Sequence, residues 1–142
     1  QFSEKQKNLS AAVFWSLTGD AGQRALIAWA MGWKPAQQAS GQEWIAPFLG
    51  QLLNDPYSAV RYIAQRSLKT LNHFESWPYD FIAPAANRAT APEDVLQQWL
   101  RSRNHPAKAK PEVLIRTDGS FDRDALQTLL QMRDDHSMDL QE

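Results

Sequence analysis

Apolar residues recur along this chain at three- and four-residue spacing, in blocks separated by Gly, Asp and Pro. The clearest block runs from Trp44 to Leu71 and predicts two antiparallel helices. Ile45, Phe48, Leu49 and Leu52 make one helical face, and Asn54-Asp55-Pro56 breaks the run. Val60, Ile63, Ala64, Ser67, Leu68 and Leu71 make the face of the second helix, with Arg61, Gln65, Arg66 and Lys69 opposite. Asp55 is placed as the N-cap of that helix and Pro56 in its first turn.

An earlier block predicts a similar pair. Leu9, Ala12, Val13, Ser16 and Leu17 form a stripe that ends at Thr18-Gly19-Asp20. Asp20 and Gln23 have the spacing of a capping box, which opens a helix from about Ala21 to Met31. Ala25, Leu26, Trp29 and Trp33 are assigned to its buried face. Lys34 to Ser40 reads as a loop around Pro35. Ser40 and Glu43 suggest a further box, and Pro47 either bends the next helix or starts it.

Asn72 to Ala89 has no regular period, apart from a single turn near Tyr79 to Ala83. Thr90-Ala91-Pro92-Glu93 opens a helix that buries Val95, Leu96, Trp99 and Leu100. A Pro/Lys-rich linker, Asn104 to Pro111, precedes a short extended stretch at Val113-Leu114-Ile115. Asp118-Gly119 then turns into a last helix, Asp122 to Arg133, with Ala125, Leu126, Leu129 and Leu130 inside. The tail from Asp134 is acidic and reads as loose unless Met138 and Leu140 dock it.

The pattern predicts an all-α chain: a short α-solenoid of antiparallel helical hairpins in one domain, 1–142. Its repeat-like units span about 9–33 and 41–71, and its last part, 72–142, is less regular. The two pairs repeat with a period in the mid-thirties, and such units bury by stacking what each alone exposes. Across the units, Asp20, Asp55 and Arg61 are the candidate inter-repeat contacts.

At 142 residues the chain can bury a sizeable core. Its 15 Lys+Arg against 16 Asp+Glu give a net charge of −1, which argues against a general nucleic-acid binder. With no cysteine, disulfides, thiolate metal sites and covalent haem attachment within this segment are excluded. No cofactor is assigned to it. No apolar run reaches the ~20 residues of a membrane span. Because the chain opens on Gln1, it reads as a processed protein or an excised domain of a longer one.

Candidate chemistry is sparse. Asp118 to Asp122 looks like half of a calcium loop, but the required glutamate position falls on Ala125 and the first ligand position on Leu114. His73, His105 and His136 have no partner at helical spacing, so no metal site is assigned. The 6 Trp stand out. Trp29 and Trp99 are assigned to the core. Trp33, Trp44 and Trp77, with Tyr79, lie at helix ends or in the irregular stretch, where indole and phenol groups suit an interaction surface.

Leu52-Leu53-Asn54-Asp55-Pro56 followed by Val60-Arg61, Ala64 and Leu68 resembles a HEAT repeat. More broadly, Gly19-Asp20-Ala21, Gln23 to Leu26, Gly32-Trp33, Asp55 to Tyr62 and Arg133-Asp134-Asp135 look like the HEAT-type C-terminal portion of bacterial multihaem c-type cytochromes. The resemblance implies a non-catalytic helical scaffold that docks a protein or another domain of its own chain. It also implies a periplasmic parent whose haems are held elsewhere. HEAT-like DNA glycosylases supply the alternative, an enzyme that acts on nucleic acid.

Overall fold

The computed structural model describes residues 9–80, 82–103 and 110–133. Among these residues the chain is helical, with isolated bridges but no strands. The helices are α1 (Ala11–Thr18), α2 (Ala21–Met31), α3 (Lys34–Ser40), α4 (Ala46–Leu52), α5 (Ser58–Leu68), the single-turn α6 (Ala85–Arg88), α7 (Ala91–Ser102) and α8 (Arg123–Gln131). A 3₁₀ turn, Pro111–Val113, precedes α8. The expected loose tail and His105 and His136 lie outside the described residues.

Local chemistry explains most helix ends. Asp20 caps α2 through Gln23 N–H at 2.8 Å, and the Gln23 side chain accepts from Asp20 N–H at 2.8 Å, closing the expected box. Asp122 caps α8 by accepting from Ala125 N–H at 3.0 Å. Pro47 lies in the first turn of α4, where its missing N–H removes no helical bond.

Pro35 has the same role, so Lys34–Ser40 is helix α3 and not the expected loop. Gly41 then adopts φ 79°, which favours glycine, and no helix starts there. Asp55 is not the N-cap of α5; Tyr57 holds that position, and the Asp55 carboxylate accepts the Tyr57 N–H at 3.1 Å. Thr90 makes no side-chain cap to α7, and Glu93 turns instead to Arg123. Val113 to Ile115 is not extended either. Leu114 lies in the left-handed region at φ 63°, and Ile115 bridges Lys110 and Phe121.

The two early hairpins lie side by side. α2 packs along α5, and α1 packs against α4. Glycine permits close approach at two of these joints. A Cβ on Gly32 would sit 2.8 Å from Ser67 Cα, and one on Gly50 would sit 2.9 Å from Val95 Cβ. α7 covers the far side of α4, and α8 returns to α1. Phe48, Leu49, Leu53, Val60, Leu68, Val95, Leu126 and Leu129 meet in one apolar core. Phe121 ties the last segment to it through Phe48 at 5.7 Å and Trp99 at 6.1 Å.

Candidate functional site

Helix α2 is turned about its axis relative to the sequence expectation. It buries Ala21, Arg24, Ala28 and Met31. Leu26, Trp29 and Trp33 are 65%, 53% and 49% exposed. This corrects the assignment of Leu26 and Trp29 to the core. The cause is Arg24, which is fully buried against an equally buried Asp55. Its Nε donates to Asp55 Oδ2 at 2.6 Å, Nη2 to Oδ1 at 3.2 Å and Nη1 to the Gly19 carbonyl at 2.7 Å. A two-point guanidinium–carboxylate pair satisfies the charge inside, so the apolar residues on the opposite side of α2 are left facing water.

The surface this exposes is narrow and aromatic. Trp29 and Trp33 stack with centroids 5.7 Å apart and planes at 23°. Leu26 lies about one turn before Trp29 on α2, and Trp33 stands just past the end of that helix, at the N-cap of α3. Neighbouring α5 presents exposed Tyr62, with the Arg66 guanidinium 5.8 Å from its ring centroid. Clustered exposed tryptophans on a rigid helix are the composition of an interaction hot spot.

The other residues singled out from sequence fall in different places. Asp20 serves its own helix cap, so as an inter-repeat contact it is replaced by Arg24. Arg61, placed on the solvent side by its period, is buried and donates to the carbonyls of Asp55 at 2.7 Å and Pro56 at 3.1 Å. Asp55 thus stands at the centre of the joint, receiving Arg24 on its carboxylate and Arg61 on its backbone.

Trp44 is buried, packs on Phe48 at 6.0 Å and donates its indole N–H to Ser40 O at 3.1 Å, so it adds no exposed face. Trp99 is core, as expected, and its N–H reaches Glu43 O at 2.6 Å.

Trp77 and Tyr79 come together along a groove of about 680 Å³ beside α6 and α7, remote in sequence from Trp33. The Tyr79 hydroxyl donates to the Leu53 carbonyl, and the Gln65 side chain donates to the Tyr79 carbonyl at 3.1 Å. Burial raises the Tyr79 phenol above its usual 10.0, against an opposing pull from Arg61. Tyr79 is therefore a strap holding the irregular stretch onto the second hairpin.

A second cavity, about 530 Å³, opens between the end of α7 and the residues after α5, with Trp44, Phe74 and Trp99 in its wall. Among the described residues no three His, Cys, Asp or Glu side chains converge as a metal site would require. No helix there is long and apolar enough to cross a membrane.

Comparison with known proteins returns no family model that matches the chain, no curated protein that matches it and no solved structure that matches it.

Proposed function

We propose that the chain is a helical docking scaffold whose contact face is the outer side of α2. The observation that carries this reading is the stacked Trp29–Trp33 pair with Leu26, exposed on a helix whose other side is locked by Arg24. A face held this way loses little side-chain and backbone freedom on binding, which favours its use as a contact. The side-by-side hairpins fit a HEAT-like stacked arrangement; the role of accessory module to a longer, periplasmic redox parent rests on the sequence resemblance alone. The partner is an apolar surface of a protein or of another domain of the parent.

The test uses a photoreactive residue in place of Trp33 and, as a control, in place of Asp94 on the exposed side of α7. Cross-links to a partner polypeptide that form at 33, fail at 94 and disappear in a Trp29→Ala background are the expected result. Equal cross-linking at both positions would contradict the assignment.

A further inference from the structure

The rim of the α2 face carries charge of a single sign. Ser67 on α5 donates its hydroxyl to the Ala28 carbonyl at 2.5 Å, and Gly32 lies against the same residue. The C-terminal halves of α2 and α5 therefore run side by side. Trp29 and Trp33 follow Ala28 and Gly32, and Arg66 precedes Ser67, so the stacked indoles and this guanidinium flank one seam. Tyr62, Arg66 and Lys69 stand at i, i+4 and i+7 along α5 and its C-cap, all of them exposed. Lys34, exposed and next to Trp33, adds a further positive charge.

The helices that bear these cations offer them no counter-charge. α2, α3 and α5 contain no Asp or Glu. Asp55 is taken by Arg24 inside the joint, and Asp20 caps α2. Among the described residues, Glu43 and Glu75 stand beyond the ends of α3 and α5, while Glu93 and Asp94 lie on α7 and Asp124 on α8. No ion pair is found there for Lys34, Arg66 or Lys69. The chain as a whole has a net charge of −1, so the cationic rim is a local feature of the side that exposes the indoles. An apolar centre with a solvated rim of one sign selects its partner by complementary charge.

On the reading of α2 as the docking face, on which this rests, we propose that it holds an acidic amphipathic segment of a partner protein. Apolar side chains of that segment seat on Leu26, Trp29 and Trp33, and its carboxylates reach Lys34, Arg66 and Lys69. A second copy of the chain is the poorer occupant, because a two-fold contact brings two like-charged rims together. Single-stranded nucleic acid is poorly served too, since its backbone needs a longer cationic track than Lys34, Arg66 and Lys69 provide.

Fluorescence anisotropy of the whole chain with dye-labelled helical peptides tests it. One peptide has a leucine stripe with glutamates elsewhere, a second has lysines in place of the glutamates, and a third keeps the glutamates without the leucines. The first is expected to bind saturably, and the others at least about tenfold more weakly. Combining Lys34→Glu, Arg66→Glu and Lys69→Glu should weaken the first peptide at least about tenfold and strengthen the lysine peptide. Trp29→Ala should weaken the first about tenfold. Arg101→Glu, exposed on α7, should leave it unchanged. No binding of the acidic peptide, equal binding of the acidic and basic ones, or unchanged affinity in the folded triple variant would overturn the proposal. So would tighter binding of a thymidine oligonucleotide, or a dimer in sedimentation that Trp29→Ala dissolves. Cross-linking from position 33 separates this proposal from the docking role beneath it. Cross-links that persist in the triple variant leave the docking face standing and overturn the acidic partner alone, whereas their absence in the intact chain removes both.

Discussion

The joint around Arg24 and the cavity around Arg103 use the same side chain to opposite ends. Arg24 is sealed from water, and its guanidinium meets Asp55 at two points and the Gly19 carbonyl at a third. Arg103 lies over Trp99 and donates to the Gly119 carbonyl, while its enclosed Nε–H has no acceptor among the described residues. A saturated buried cation fixes architecture. A less buried one, Arg103, ties the end of α7 to the turn before α8.

The sharpest way to break this comparison is to remove the acid at the joint. Asp55→Ala leaves Arg24 buried without a counter-charge and should cost about 3–5 kcal/mol in denaturant unfolding. Arg24→Leu with Asp55→Leu should cost much less than the two single changes together, because no charge is then stranded. Additive losses would show that the pair is not coupled.

Next in size is the close approach of α2 and α5. Gly32→Val places side-chain atoms where Ser67 stands, with its Cβ 2.8 Å from Ser67 Cα. It should destabilise by about 1–3 kcal/mol in the same unfolding measurement. A neutral result would mean that the two helices are further apart than described.

Tyr79→Phe removes a buried hydrogen bond to Leu53 and should cost about 1 kcal/mol. The Tyr79 phenol has a raised pKa in the folded state, so the unfolded chain gives up this proton first as pH rises. Its contribution is full below the unfolded value near 10.0 and is lost as pH rises through the folded one. The stability of the Phe variant should accordingly fall less steeply above pH 10 than that of the parent chain. Parallel alkaline slopes would contradict this.

The smallest effect on stability belongs to the proposed contact face. Trp29→Ala and Trp33→Ala should each change unfolding free energy by less than about 1 kcal/mol, since both rings are about half exposed. A loss of several kcal/mol would place these rings in the fold and not on a docking surface.

These regions also differ in how readily their sequence reveals them. The face of α5, the Asp20–Gln23 box and the buried stripe of α8 are local patterns, and spacing alone locates them. α2 is different because Ala, Leu, Ile, Trp and Met lie on every side of it, so its period does not choose an inner face. An amphipathic reading turns Arg24 outward and Trp29 inward. The choice is reversed by Asp55, 31 residues away, whose partnership no local rule contains. For Arg61 the helical period points to solvent while its candidacy as a structural contact points inward. The structure buries it on the Asp55 and Pro56 carbonyls of the turn before its helix, acceptors that a pattern of side chains does not show.

Lys34 to Ser40 shows a narrower failure. Proline reads as a breaker in mid-segment, but as a starter at the first turn it permits α3. The cavity had no local signature at all. Its residues come from the ends of α3, α5 and α7 and from the turn before α8, and only packing gathers them. The signal that could have hinted at it was Trp99 and Arg103 at one-turn spacing, the geometry that lets a guanidinium lie over an indole on the same helix end.

The most direct measurement is the nitrogen-15 spectrum of the arginine Nε–H groups in the intact chain and in Asp55→Ala. The account predicts that the Arg24 resonance is protected from solvent exchange in the intact chain and loses that protection in Asp55→Ala. An Arg24 resonance that exchanges freely in the intact chain, or one that Asp55→Ala leaves unchanged, would contradict it.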